Sequence, residues 1–248
     1  SLAQGASGQI ELSLTTIQDF KIPLPPLNIQ QEIVAACEVL DEAVRQAHEM
    51  VKSLNSQLAD IFLNQQFSLD KLANVAFKVS DSIDPQQQIG TVNYIGLENI
   101  ESQTGQLVGD ISTEYQMIKS AKTCFIQDDV LYGKLRPNLN KVYLAKQEGI
   151  CSTDILVFRF KNKVLAKFYA HYLKSEAFNQ AVLQTVSGQQ LPRTSWGAMQ
   201  EIKIPVPPLA EQTALVAQIE AIETKIAEAQ RIIDQAPAQK QAVLRQYL

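Results

Sequence analysis

Two polar stretches carry the residue types that read nucleic acid. In Gly133-Lys134-Leu135-Arg136-Pro137-Asn138-Leu139-Asn140-Lys141, cations and side-chain amides crowd around a Pro-Asn turn signal. Arg and Lys match the acceptors of guanine, Asn matches adenine, and the same groups grip phosphates. The second stretch, Ser187-Gly188-Gln189-Gln190-Leu191-Pro192-Arg193-Thr194, joins a glycine that permits close backbone approach to Gln and Arg as base-edge readers. The candidate DNA contacts are therefore Lys134, Arg136, Asn138, Asn140 and Lys141, with Ser187, Gly188, Gln189, Gln190 and Arg193. The competing reading of both stretches is a pair of solvated turns. Asp128-Asp129, just ahead of the first, could orient Lys134 or Arg136, but reads more simply as an acidic pair in a solvated turn.

Covalent and metal chemistry find no constellation in the sequence. Adenine methyl transfer calls for a glycine-rich cofactor loop and an Asn/Asp-Pro-Pro-aromatic motif, whereas the Pro-Pro pairs here are followed by Leu27 and Leu209. Glu201-Ile202-Lys203 has the Glu-x-Lys form of Mg²⁺-dependent nucleases. Its counterpart Asp19-Phe20-Lys21 stands at the same kind of junction, which favours a structural role. His48 and His171 fall on expected helices away from any nucleophile. Cys37, Cys124 and Cys151 are odd in number and lack ligand spacing, so free thiols are expected. A Walker-type phosphate loop is absent. No catalytic residue, cofactor or metal is expected.

The elements that must position the polar stretches show themselves as an internal repeat. Ile22-Pro23-Leu24-Pro25-Pro26-Leu27-Asn28-Ile29-Gln30 recurs, 182 residues later, as Ile204-Pro205-Val206-Pro207-Pro208-Leu209-Ala210-Glu211-Gln212. Ser7-Gly8-Gln9 likewise matches Ser187-Gly188-Gln189. Each Pro-rich leader reads as an extended segment that opens a helix. After the first, Ile33, Cys37, Leu40, Val44, Ala47, Val51, Leu54, Leu58 and Ile61 alternate in steps of four and three, the apolar seam of a left-handed coiled coil. A helix from about Asn28 to Gln65 is expected. In the second copy Leu215, Ile219, Ile222, Ile226, Ala229 and Ile233 repeat the seam; beyond it Lys240 breaks the apolar row, although Val243 and Tyr247 resume it, and Pro237 predicts a kink or break near Ala236. One seam needs a partner, from the other copy in the same chain or from a second chain.

Between the repeats lie strand-like runs at Val92–Ile95, Thr123–Ile126, Val130–Tyr132, Val142–Leu144 and Ile155–Phe158, then helices at about Leu165–Leu173 and Ser175–Thr185. The fold class is α+β: a β-rich globular domain between two long helices that form an antiparallel coiled coil. The expected boundaries are 1–21 as the tail of a preceding domain or its permuted equivalent, 22–66 as the first helical region, 67–203 as the globular domain and 204–248 as the second helical region.

Composition taken whole points away from DNA, since the chain of 248 residues carries a net charge of −4. The charge is unevenly placed. Residues 1–118 hold 5 Lys/Arg against 15 Asp/Glu, whereas residues 119–203 hold 13 against 6. Fields act within a Debye length of roughly 8–10 Å, so the second segment can meet a polyanion although the protein is acidic. No apolar run approaches the ~18–20 residues of a membrane span, and the first residues lack a signal-peptide pattern. The chain reads as soluble and cytoplasmic.

The doubled leaders, the Ser-Gly-Gln tail before each, and the segments Tyr94-Ile95-Gly96-Leu97-Glu98-Asn99-Ile100, Asp129-Val130-Leu131-Tyr132-Gly133-Lys134-Leu135-Arg136-Pro137 and Cys151-Ser152-Thr153-Asp154 resemble the DNA-specificity subunit of type I restriction-modification enzymes. The resemblance covers essentially the whole chain. It implies a target-recognition domain that reads half of a bipartite site in double-stranded DNA, with helices that space the halves and dock methyltransferase subunits; a restriction subunit can join. It implies no chemistry by this chain itself. Only one complete recognition domain is present. Three arrangements fit: a half-size subunit that dimerises, a piece of a two-domain subunit, or a permuted form. The favoured one is a homodimer through the helices, which would read an interrupted palindrome. The alternative function is a coiled-coil structural adaptor whose middle domain binds protein rather than DNA.

Overall fold

The computed structural model of the chain describes residues 22–63, 67–161, 163–186 and 191–247. In chain order the regular elements are α1 (Leu27–Leu63), β1 (Leu69–Lys71), α2 (Leu72–Val75), β2 (Ala76–Lys78), β3 (Ser82–Ile83), β4 (Thr91–Ile95), β5 (Ser112–Glu114), β6 (Lys122–Phe125), β7 (Val130–Gly133), β8 (Val142–Leu144), β9 (Gly149–Cys151), β10 (Ile155–Phe160), α3 (Lys163–Lys174), α4 (Glu176–Leu183), α5 (Trp196–Met199), β11 (Lys203–Pro205) and α6 (Leu209–Tyr247). The chain divides into two units, residues 1–52 with 227–248, and residues 53–226. The tail expected at 1–21 lies outside the described residues, as do Ser187, Gly188, Gln189 and Gln190.

The first unit is helical. Its α1 residues Ile33, Cys37, Leu40, Val44, Ala47 and Val51 are each buried or half-buried, and most residues between them are exposed. On α6, Ala229, Ile233, Ala236, Lys240, Val243 and Tyr247 form the matching row. Lys240 interrupts the apolar character of this row, which Val243 and Tyr247 resume, as the sequence indicates. It takes a seam position and turns its ammonium onto the Asp41 carboxylate of α1. Farther along, in the second unit, Ile61 and Phe62 of α1 pack on the core that buries Leu215 and Val216 of α6. Numbers rise along one helix as they fall along the other, so the pair is antiparallel. At about 1.5 Å per residue, the 37 residues of α1 and the 39 of α6 are each more than 50 Å long.

Of the kink or break expected near Ala236, the break is absent: α6 runs as helix without interruption, with Pro237 inside it. Proline deletes one backbone donor, and the hydrogen bonds of neighbouring residues carry the helix across the gap. Ala236 is buried in the seam, and that packing holds the turn.

The two leaders open their helices by the same device. The backbone N–H groups of Gln30 and Gln212 donate to Pro26 and Pro208 at 3.0 Å. Their side-chain amides fold back to the carbonyls of Pro25 (2.8 Å) and Pro207 (2.7 Å). Burial separates the copies: Ile22 is 72% exposed, while its counterpart Ile204 is 0% exposed. The second leader lies in β11, paired antiparallel with β1, and its Ile204 joins the core of the 53–226 unit.

That unit holds three sheets: β1–β11, the four-stranded β2–β10–β7–β8, and the five-stranded β3–β6–β9–β4–β5. Pairing is antiparallel except between β4 and β9. The four-stranded sheet is apolar on both faces, as its near-continuous hydrophobic strands require. Leu156, Phe158, Phe160, Val130 and Tyr132 face α3, α4 and the feet of the long helices. Ile155, Val157 and Leu131 face the opposite way, toward Ile95, Phe125 and Cys151 of the five-stranded sheet. Phe62 meets Phe168 and Tyr172 edge-on at 5.9 and 5.4 Å, which seats α1 against the domain core. All five expected strands and both expected helices are found. The strands missed, β1 to β3, β5, β9 and β11, are two or three residues long, too short to show a period.

Candidate nucleic-acid interface

The hairpin β7–β8 carries the first polar stretch in its loop. Gly133 closes it: its N–H donates to Lys141 O at 2.9 Å, and a Cβ there would lie 2.9 Å from the Leu97 side chain. A single 3₁₀ turn, Pro137–Leu139, is flanked by Arg136 (φ 51°) and Asn140 (φ 50°), both left-handed. Asparagine tolerates this conformation; arginine takes it at a cost of roughly 1–2 kcal/mol, which the surrounding structure must impose.

What imposes it is a set of bonds beneath the loop. Asn140 is buried, and its amide donates to the Lys174 carbonyl at the end of α3 (2.6 Å) and to Gln103 Oε1 (3.1 Å). Asn179 of α4 donates to Pro137 O at 2.9 Å, and Lys141 Nζ donates to Leu97 O at 2.7 Å. Asn140 and Lys141 thus hold the loop from inside, whereas Arg136 and Asn138 are exposed.

The second polar stretch comes to the same place. Arg136 N–H donates to Pro192 O (2.8 Å) and Thr194 N–H to Lys134 O (3.0 Å), so Leu135 and Arg193 form an antiparallel bridge. A third segment joins them: Lys134 N–H donates to Asp154 O at 2.9 Å, and Arg193 Nε lies 3.4 Å from Asp154 Oδ1. Thr194 is buried and shares a hydroxyl hydrogen bond of 2.8 Å with Thr185. The structure therefore brings Lys134, Arg136, Asn138 and Arg193 onto one edge. Next to it, burial raises the Tyr94 phenol above its ordinary value. Asp154 is the contributor that residue reading missed; only its place in the Cys-Ser-Thr-Asp segment marked it.

The basic segment is not one continuous patch. Lys122 is buried with its ammonium on Ser120, Lys167 pairs with Glu220 at 2.9 Å, and Lys174 with Glu223 at 3.3 Å. Glu223 also meets His171 Nδ1 at 3.3 Å. Burial pushes this carboxyl up, yet His171 and Lys174 together outweigh it and hold it at about 2. Asp129 is no solvated turn residue. It is 1% exposed, accepts from Arg159 Nε and Nη2 at 2.7 Å each and from the Ile126 N–H at 2.9 Å, and orients neither Lys134 nor Arg136.

Glu201 pairs with Lys71 at 2.6 Å, the structural role its repeat position suggested. Cys37, Cys124 and Cys151 are free thiols, and burial pushes Cys151 up to about 12. Among the described residues there is no His/Cys/Asp/Glu cluster able to hold a metal, and no helix long and apolar enough to cross a membrane.

Residues 2–53 and 64–238 match the family described as the type I restriction modification DNA specificity domain. This chain belongs to that family. The chain is 29% identical over 153 residues to the type I restriction enzyme EcoDI specificity subunit of Escherichia coli, an alignment covering 62% of this chain and 33% of that protein. It therefore spans about a third of that subunit. Its fold is similar to the HsdS subunit from Thermoanaerobacter tengcongensis, with a TM-score of 0.55 at 18% identity over 98% of this chain and 64% of that one. It is similar also to the type I restriction-modification S subunit from M. genitalium, with a TM-score of 0.56 at 14% identity over 100% of this chain and 68% of that one.

Proposed function

We propose that this specificity chain reads one half of a bipartite double-stranded DNA site and places methyltransferase subunits there, while performing no chemistry itself. The observation that carries the reading is the edge where 134–141, 152–154 and 191–194 share backbone hydrogen bonds and present Arg136, Asn138 and Arg193 outward. A platform whose backbone is already held in place suits base readout, because the loops lose little freedom on binding. Lys134, half-buried at the rim, supplies further positive charge. Asn140 and Lys141 act by holding the loop, and Ser187, Gly188, Gln189 and Gln190, which precede Arg193 in the sequence, are further candidates for DNA contact.

The long helices are the natural seat of the methyltransferase subunits, and a restriction subunit can join the assembly. Two copies would present two recognition domains and read an interrupted palindrome. The seam residues of α1 and α6 are already covered within one chain, so a homodimer would pair by other helical rows or by exchanging helices.

The test is DNA binding by the chain assembled with its methyltransferase subunits, measured over a range of salt. Affinity should fall steeply as salt rises. Arg136→Ala and Arg193→Ala should each weaken binding to the cognate duplex by about 1–3 kcal/mol. Unchanged binding in both variants would remove DNA from this edge, and no retention of DNA by the wild-type assembly would favour the adaptor role.

A further inference from the structure

An acidic side chain stands in the middle of this cationic edge, where a phosphate clamp would exclude it. Asp154 lies on the 152–154 segment, its carbonyl bound by the Lys134 N–H and its carboxylate facing Arg193 Nε at 3.4 Å, with 30% of its side chain exposed. Arg136 has no such partner among the described residues. The two arginines are therefore presented differently. Arg193 meets the carboxylate at Nε, which leaves the two terminal amino groups of its guanidinium as a fork without a partner among the described residues. Arg136 swings on an exposed side chain from a fixed backbone.

We infer that Asp154 is a positioning residue for DNA reading: it aims Arg193 at a base edge, while Arg136 supplies a contact to the phosphate backbone. This assignment rests on the DNA-reading function proposed above and divides its labour. A bidentate fork oriented by a neighbour suits the O6 and N7 acceptors of guanine, and a loosely held cation is enough for phosphate. The carboxylate lowers the gain from any nearby phosphate, so its presence is understandable only through the orientation it gives.

The experiment is methylome sequencing of cells carrying the chain with its methyltransferase subunits, which names the wild-type motif, followed by the same readout for variants. Arg193→Ala and Asp154→Ala should relax the motif at one and the same base pair, by about tenfold in relative methylation of the disfavoured bases. Arg136→Ala should lower methylation across all sites with the motif unchanged. Asp154→Asn keeps an acceptor oxygen and should relax that base pair less than Asp154→Ala; it also supplies the answer if the alanine variant fails to accumulate. Purified assemblies should show a second signature: Asp154→Ala weakens binding to a duplex bearing the motif and tightens binding to a scrambled duplex, because a negative charge has been removed.

If Asp154→Ala tightens both duplexes alike and leaves the motif intact, the positioning role is overturned while the DNA edge stands. If all three alanine variants leave motif and binding unchanged, the edge itself is wrong.

Discussion

The Asp129–Arg159 pair sets a strict test of how the recognition domain is held together. Asp129 is almost fully buried and accepts three hydrogen bonds; Arg159 keeps 28% of its side chain exposed. Removing either partner therefore has unequal consequences. Asp129→Ala frees an arginine that water can partly reach, at about 2 kcal/mol for the charged hydrogen bonds, and orphans the Ile126 N–H for about 1 more. A total of about 3 kcal/mol is expected. Arg159→Ala strands a carboxylate that water cannot reach, with one N–H for company, and should cost about 4–5 kcal/mol, the upper end for a broken buried pair. The double variant should cost about 1–3 kcal/mol less than the sum of the singles.

Trp196 is the sole tryptophan and packs on Phe158, next to Arg159, with ring centroids 5.3 Å apart. Its fluorescence through a urea titration reports this domain directly. If Asp129→Ala costs as much as Arg159→Ala, or if the singles add to within about 0.5 kcal/mol, burial is not what governs the pair.

Two further outcomes are expected. The Glu223 carboxyl sits below its unfolded value, so its contribution to stability is full above about pH 4.5 and is lost as pH falls toward about 2. With 39% of the side chain exposed, solvent screening reduces the contribution to about 1 kcal/mol, and urea midpoints of Glu223→Gln should be flatter than wild type between pH 5 and pH 3. An unaltered slope would show that His171 and Lys174 do not hold the charge. Asn140→Ala should lose the bonds to Lys174 and Gln103 and also force alanine into a left-handed backbone, for about 2–3 kcal/mol in all. Asn140→Gly keeps the backbone freedom and should recover about 1 kcal/mol of that loss in thermal melts; equal melting of the two variants would mean that backbone conformation plays no part.

The helices were legible because a seam repeats over many turns, and each of its positions is set by one physical demand, to face the partner helix. Strands β7 and β10 were legible for a related reason: both faces are buried, so valine, isoleucine and phenylalanine run together. Pro237 misled because a local penalty of one lost hydrogen bond was set against tertiary packing that a sequence window does not contain. At the interface, the polar stretches were visible one at a time. Their convergence was hidden, since the bond from Arg136 to Pro192 links residues far apart in the chain and depends on how three loops cross. Asn140 and Lys141 share composition with Arg136 and Asn138, and only the loop geometry separates side chains turned inward from those turned outward. Asp129 and Arg159 meet because β7 and β10 pair, and no spacing along the chain announces it.

The alternation within the 134–141 loop has a consequence for how target choice can change. Side chains that fasten the loop, Asn140 and Lys141, lie next to the exposed side chains of Arg136 and Asn138, and the fastening from below reaches the Pro137 backbone rather than its neighbours' side chains. Position 138 can therefore be rewritten with little risk to folding, and position 136 can as well among glycine, asparagine and unbranched residues that accept its left-handed backbone, so a library limited in this way should consist mainly of stable proteins. A lineage could move from one DNA word to another through intermediates that remain intact, and an engineer could follow the same path.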